Sequence, residues 1–293
     1  MSAFILISIT GLALGALYFL VASGLSLIYG LMGVLNFAHG TFLTVGAFTA
    51  YWLATQIFET ATTTTFIIEL IIGGIAAGLF ALIMEHLIIK RLYNRHIDQA
   101  LVTVGFGLVV TAALGGWFGN DLRIFPTPIW FMKSFEIGGA IIPVDRFIYS
   151  AVAIILLISM LAILKFTRIG LIIRAGVENR DMVSALGINV RNAFSTVFFI
   201  GGFAAGVGGV LIAVFTYGVS PLMSGSWLIY GFIVVVVGGM GSITGSALAA
   251  MLIGVVNQFT NYYLSGLGDF VVIFILAVVL ITKPAGLLGK VKN

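Results

Sequence analysis

From Met1 to Phe58, and again from Asn192 to Gly268, the sequence contains no Asp, Glu, Lys or Arg. Stretches of that length without charge cannot cover a surface in water, which leaves bilayer hydrocarbon as their solvent. Composition agrees: of 293 residues 61% are hydrophobic and 8% charged, against about 25% charged in an ordinary soluble domain. Hydrocarbon offers no partner to a free backbone group, so a span is a helix or part of a closed barrel. Barrel strands alternate over about ten residues, whereas Phe147 to Leu164 is apolar throughout. The expected fold class is therefore all-α, a polytopic helical membrane protein read as one domain over 1–293.

Segments long enough for ~30 Å of hydrocarbon run Phe4 to Ile28, Thr41 to Phe58, Phe66 to Ile89, Leu101 to Phe118, Phe147 to Leu164, Ala193 to Tyr217 and Ser246 to Tyr263. Two more are short. Trp227 to Val237 reads as a half-helix, and Phe270 to Thr282 is expected to extend over Asp269 or into the headgroups. This amounts to about eight transmembrane helices plus a short broken segment. The first 28 residues lack the basic start of a signal peptide and exceed its apolar length, so they are expected as a span.

Lysine and arginine orient the spans. Lys90, Arg91 and Arg95 share one loop, Lys165, Arg168, Arg174, Arg180 and Arg191 another, and Lys283, Lys290 and Lys292 the tail. Arg123, Lys133 and Arg146 remain for the opposite side, accompanied by Asp121, Glu136 and Asp145. The positive-inside rule places the first three groups, and the carboxy terminus, in the cytoplasm. Parity then leaves the amino terminus outside. The external loop, 119–146, carries Pro126, Pro128, Pro143 and several aromatics, which suits an ordered cap. A plain cover and a docking site for a soluble partner both fit it.

The two charge-free stretches each contain one glycine-marked break, "GLMGVLN" at Gly30 to Asn36 and "GGMGSIT" at Gly238 to Thr244. Aligned, they share G-x-M-G-x-[LI]-[NT]. Interrupted helices put backbone dipoles at membrane depth, tolerated only beside protein or a water-filled cavity, and such places bind polar solutes. On that reading the substrate pathway is lined by Asn36, Phe37, His39, Gly40, Gly238, Gly241, Ser242 and Thr244. The plainer reading makes the polar members helix caps and interhelical contacts worth about 0.6 kcal/mol each. Gly11 with Gly15, Gly74 with Gly78, Gly202 with Gly206 and Gly241 with Gly245 are packing signals.

The loop 165–192 differs in kind. Arg174 to Leu186 is expected to form one helix of about three turns, with Val177, Met182, Val183, Ala185 and Leu186 as apolar positions among charges. Gly187 supplies a left-handed stop. A short helix joined to two spans can pass force from a soluble partner into the membrane; a helix resting on headgroups is the alternative. Elsewhere, Glu85 and His86 are expected to pair locally with Lys90 and Arg91 or stay hydrated, and Glu69 to snorkel outward. "GLLGKV" (Gly286 to Val291) lacks the spacing and hydroxyl of a phosphate loop and reads as a solvated basic tail.

"YGLMGVLNFAHGTFLTVGAF", "IRAGVENRDMVSALGINV" and "VVGGMGSITGSALAAMLIG" resemble the inner-membrane permeases of branched-chain amino acid ABC importers, the smaller of two related types, over nearly the whole chain. The segment "MEHLIIKRLYNRHIDQALVTVGFG" is similar too, without the Arg-Pro pairing expected near Arg91. The resemblance implies a bacterial inner membrane, alternating access, a second homologous permease, two cytoplasmic ATPases, an external solute-binding protein and no cofactor in this chain. It also implies an ATPase-coupling set: Arg174, Ala175, Glu178, Asn179, Met182, Ala185, Leu186 and Gly187. Related permeases carry other amino acids or small amides such as urea. An ion-coupled secondary transporter, which the two breaks would also permit, would want a carboxylate or a cluster of carbonyls at the midplane for its ion, and no mid-span acid is evident. A membrane enzyme would want a nucleophile with a base, paired acids or a metal cluster; three scattered histidines and zero cysteines offer none. Nothing in the charge pattern suggests nucleic acid.

Overall fold

A computed structural model of the chain describes residues 1–93, 95–178, 180–185, 187 and 190–289. The described residues form these α-helical segments in order: α1 (Ser2–Met32), α2 (His39–Gln56), α3 (Thr63–Leu87), α4 (His96–Phe118), α5 (Asp145–Phe166), α6 (Arg168–Glu178), α7 (Arg180–Ala185), α8 (Val190–Phe215), α9 (Met223–Gly238), α10 (Ile243–Tyr263) and α11 (Gly268–Thr282). Among the described residues six helices are long and apolar enough to cross a bilayer: those at Ser2–Met32, Thr63–Arg91, His96–Phe118, Asp145–Phe166, Asn192–Phe215 and Ile243–Tyr263. The half-helix and the last span appear as α9 and α11, and α11 does take in Asp269.

A helix that is apolar all round belongs in the centre of a bundle, and α1 obeys: every residue from Ala13 to Ile28 is buried. Glycines set how its neighbours approach. Gly11 and Gly15 lie against the backbone of Val255 and Ala250 on an antiparallel α10. On the other side α8 takes α3 in the same manner, with Gly78 against Phe199 and Gly74 against Phe203. Small residues allow such close backbone packing where the hydrophobic effect supplies no drive. The small-xxx-small pairs therefore act as packing surfaces.

α9 runs parallel to α1. Tyr18 stacks on Tyr230 with ring centroids 4.8 Å apart, Val21 meets Gly231, and Gly30 meets Gly241. By contrast α4 hardly packs. Leu101, Leu108, Val109 and Trp117 are exposed on it, while Gln99 and Thr103 are its buried residues.

The loop after α4 is ordered by local strands. β1 (Arg123–Ile124) pairs antiparallel with β4 (Gly218–Val219), tying it to the connection after α8. β2 (Ser134–Ile137) and β3 (Ala140–Pro143) form a hairpin whose turn, Gly138-Gly139, has positive φ at both residues, as a two-residue hairpin loop requires. The hairpin sits over the start of α1, where Ile5 reaches Gly138.

The loop 165–192 departs from expectation. Its described residues are helical over Arg168–Glu178 (α6) and Arg180–Ala185 (α7), so helix is present from before Arg174. The first begins earlier because Thr167 ends α5 in an extended conformation and its Oγ1 accepts the Gly170 N–H at 3.1 Å, an N-cap. Gly187 has φ +78, the left-handed geometry read from its sequence. Asn179, Leu186 and Ile188 lie outside the described residues.

The tail also differs. Gly286 to Gly289 is packed rather than solvated: Leu287 and Leu288 donate their N–H groups to the carbonyls of Val237 and Gly238, at 2.8 and 3.1 Å. The last carbonyls of a helix have no partner within it, and here the returning chain supplies one. Gly286 and Gly289 press on Gly239 closely enough to leave no room for a side chain. Lys290 and Val291 lie outside the described residues.

Candidate functional site

The first break is more than a kink. α1 stops at Met32, Gly33 turns left-handed (φ +64) and donates to the Tyr29 carbonyl, and 33–38 runs without helix until α2 begins at His39. His39 does not sit at the end of α1. Its Nε2 lies 3.1 Å from the Val21 carbonyl, and its ring packs over Gly24. Val21 is eleven residues short of Met32, about 16 Å at 1.5 Å per residue. The chain has therefore turned back into the bundle before α2 starts. Gly33 lies near His96 and Phe37 near Thr103, so the returning segment climbs beside the first turns of α4.

Non-helical backbone at this depth has to be satisfied by protein, and side chains do it. The Phe37 N–H donates to Thr103 Oγ1 at 3.1 Å, and the Ala38 N–H to Asn36 Oδ1 at 3.0 Å. Asn36 and His39 are fully buried, and Asn36 Nδ2 and His39 Nδ1 have no hydrogen-bond partner among the described residues. Phe37 stacks on Phe232 of α9 at 4.9 Å. Gly40 touches the Ser224 carbonyl and Leu228, so a side chain there would collide with backbone. The starts of α2 and α9 thus meet inside the bundle, and Thr111 Oγ1 of α4 lies 3.4 Å from Ser224 Oγ beside them.

The other half of the expected pathway stands apart from this junction. Gly238 ends α9, Gly241 and Ser242 lie in the turn that follows, and Thr244 is in the first turn of α10, at the level of Gly30 near the end of α1. The two glycine motifs nevertheless touch: Gly241, with φ +88, packs its backbone on Gly30. Ser242 accepts the Gly245 N–H at 3.0 Å and caps α10, and Thr244 is exposed with its hydroxyl 3.4 Å from Ser242. The interior counterpart of the first break is the start of α9 at Ser224, so Ser224, Thr103 and Thr111 join the candidate site. Their sequence signal is faint: lone hydroxyls in apolar runs, one of them beside a short helix.

Within the cytoplasmic-loop set, Arg174 and Ala175 are exposed on α6, where Glu178 is the last residue, and Met182, Ala185 and Gly187 are exposed on or just after α7. Asn179 and Leu186 lie outside the described residues. Val183 turns inward onto Phe194 of α8, with Met32 and Tyr93 packed against the pair. The ends of α1 and α8 are thus joined to the loop by apolar contact.

Two ionisable groups correct the sequence reading. Glu85 is fully buried and accepts hydrogen bonds from the hydroxyls of Tyr93 and Ser195, not ion pairs from Lys90 or Arg91. Among the described residues the ion pairs are Arg95–Asp98 and Arg146–Asp145. Glu69 is 2% exposed rather than snorkelling. No group of three or more metal-ligating side chains occurs among the described residues.

Broken helices with non-helical backbone at depth recur in membrane transporters, and comparison with known proteins decides the family. Residues 7–282 match the family described as the permease component of the branched-chain amino acid transport system. The chain belongs to this family. It is similar to the high-affinity branched-chain amino acid transport system permease protein LivH of Salmonella typhimurium, 27% identical over 288 residues covering 96% of this chain and 94% of that one. BraD of Pseudomonas aeruginosa, with the same descriptive name, is 27% identical over 295 residues, covering 96% and 94%. LivM of Escherichia coli, again a permease protein of that system, is 28% identical over 303 residues, covering 93% of this chain and 68% of its own. No solved structure matches. The family's region ends at Thr282, the last residue of α11, so the returning tail lies beyond it. A multi-pass membrane permease is a transport subunit, not an enzyme.

Proposed function

We propose that the chain is the transmembrane subunit of an ATP-driven importer for branched-chain or related amino acids and forms half of the translocation pathway. The observation that carries this reading is the junction at Gly40 and Ser224, where two helices start inside the bundle beside a non-helical segment. Interior helix starts and unwound backbone are the means by which membrane transporters hold polar solutes. Asn36, Phe37, His39, Gly40, Thr103 and Ser224 form the inner part of the pathway, and Gly238, Gly241, Ser242 and Thr244 its exit. A second, homologous permease supplies the other half; similarity to both LivH and LivM supports a pair of related chains.

Two ATPases engage Arg174, Ala175, Glu178, Asn179, Met182, Ala185, Leu186 and Gly187 on the cytoplasmic side. An external binding protein delivers cargo over the hairpin β2–β3. The protein sits in the plasma membrane with its carboxy terminus in the cytoplasm. This chain needs no cofactor of its own. The test is to purify the chain from native membranes with its companions and measure ATP-driven leucine uptake in proteoliposomes. Uptake that requires ATP and the companions is expected. Accumulation by the isolated chain on an ion gradient would overturn the reading.

A further inference from the structure

Glu85 has no part in the pathway just described, yet a buried carboxylate near the end of a span is costly and marks function by default. Its partners come from two other elements. Tyr93, between α3 and α4, donates to Oε1, and Ser195 on α8 donates to Oε2 at 2.8 Å. Ser195 follows Phe194, which packs on Val183 of α7 and lies edge-on to the Tyr93 ring at 5.9 Å. Met32, the last residue of α1 before the returning segment, packs on the same pair. One carboxylate therefore pins together α3, the approach to α4 and the foot of α8, where α7 makes contact.

We infer that Glu85 is a positioning residue for transport, holding Tyr93 and Ser195 so that displacement of α7 carries α3, α8 and the Met32–Gly33 turn together. Apolar contact alone slides. Two hydrogen bonds to one carboxyl group are directional, so the foot of α8 moves with α3 instead of over it. The inference rests on the importer reading, because displacement of α7 has to come from an ATPase.

The experiment uses the assembled importer in proteoliposomes and reads amino acid taken up per ATP hydrolysed. Tyr93→Phe and Ser195→Ala each remove one hydroxyl, and Glu85→Ala removes the acceptor. All three are expected to hydrolyse ATP at the wild-type rate while uptake per ATP falls, by about tenfold for Glu85→Ala, the scale of an ordinary coupling free energy. Glu85→Gln still reaches both hydroxyls, accepting from one and donating to the other, and is expected to recover most of the loss. Uptake and hydrolysis falling in proportion in the hydroxyl variants, or an unchanged ratio in them, would overturn the inference. Those two variants decide even where Glu85→Ala fails to fold. Absence of ATP-driven uptake in the wild type would instead overturn the importer reading.

Discussion

At the scale of single residues, close backbone approach does the selecting. Gly40 faces the Ser224 carbonyl with no space for a Cβ, whereas Gly105 on α4 has nothing within 4 Å. Overpacking of a filled site costs about 1–3 kcal/mol. Gly40→Ala is therefore expected to lower the thermal midpoint and uptake, and Gly105→Ala to change neither, which a thermal-shift assay beside an uptake assay would check. Gly241 combines positive φ with contact on Gly30. Gly241→Leu is expected to block transport, and unimpaired uptake by that variant would remove the two-motif contact from the mechanism. The "GLMGVLN" and "GGMGSIT" motifs were legible as special in the sequence; that they touch each other was not, because a glycine shows only what it lacks.

Among elements, the returning tail and the pair α6–α7 are the informative cases. Val237 and Gly238 depend on Leu287 and Leu288 for hydrogen bonds. Leu287→Pro removes one donor and leaves a carbonyl unmatched, a cost of about 1–3 kcal/mol. A lower thermal midpoint for that variant than for Leu287→Ala is the expected outcome. The tail reads as basic and solvated in sequence because nothing local reveals that α9 ends in unpaired carbonyls at the place where it returns. On α7, Val183 faces inward while Ala185 is exposed. Ala185→Asp is therefore expected to abolish ATP-driven uptake while the protein stays folded, as judged by its elution profile in detergent. The early start of this loop's helix at Arg168 was hidden because Thr167, the residue that caps it, precedes the apolar pattern.

For the whole molecule, placement in the membrane is the open physical question that charge answers. Lys90 and Arg91 lie at one end of the bundle and Lys133 at the other, beside the hairpin. With no cysteine in the chain, single replacements give clean topology reporters. A cysteine at Lys133 is expected to react with an impermeant reagent in intact cells, and one at Lys90 only after permeabilisation. The reverse pattern would invert the orientation and move α6–α7 away from any cytoplasmic ATPase.

What the sequence determined by itself is the solvent and the spans. Charge-free runs dictate hydrocarbon, and hydrocarbon dictates helices, so the expected segments reappear as helices α1 to α5 and α8 to α11, six of them long and apolar enough to cross a bilayer among the described residues, and the glycine pairs as packing surfaces. Only the tertiary structure decided depth and company. It placed α1 at the centre, brought His39 back to Val21, set Gly40 against Ser224, and gave Glu85 two hydroxyls from distant parts of the chain. Hydropathy is a property of each residue and its neighbours in sequence, whereas these arrangements depend on which helices share a face. No local pattern encodes that.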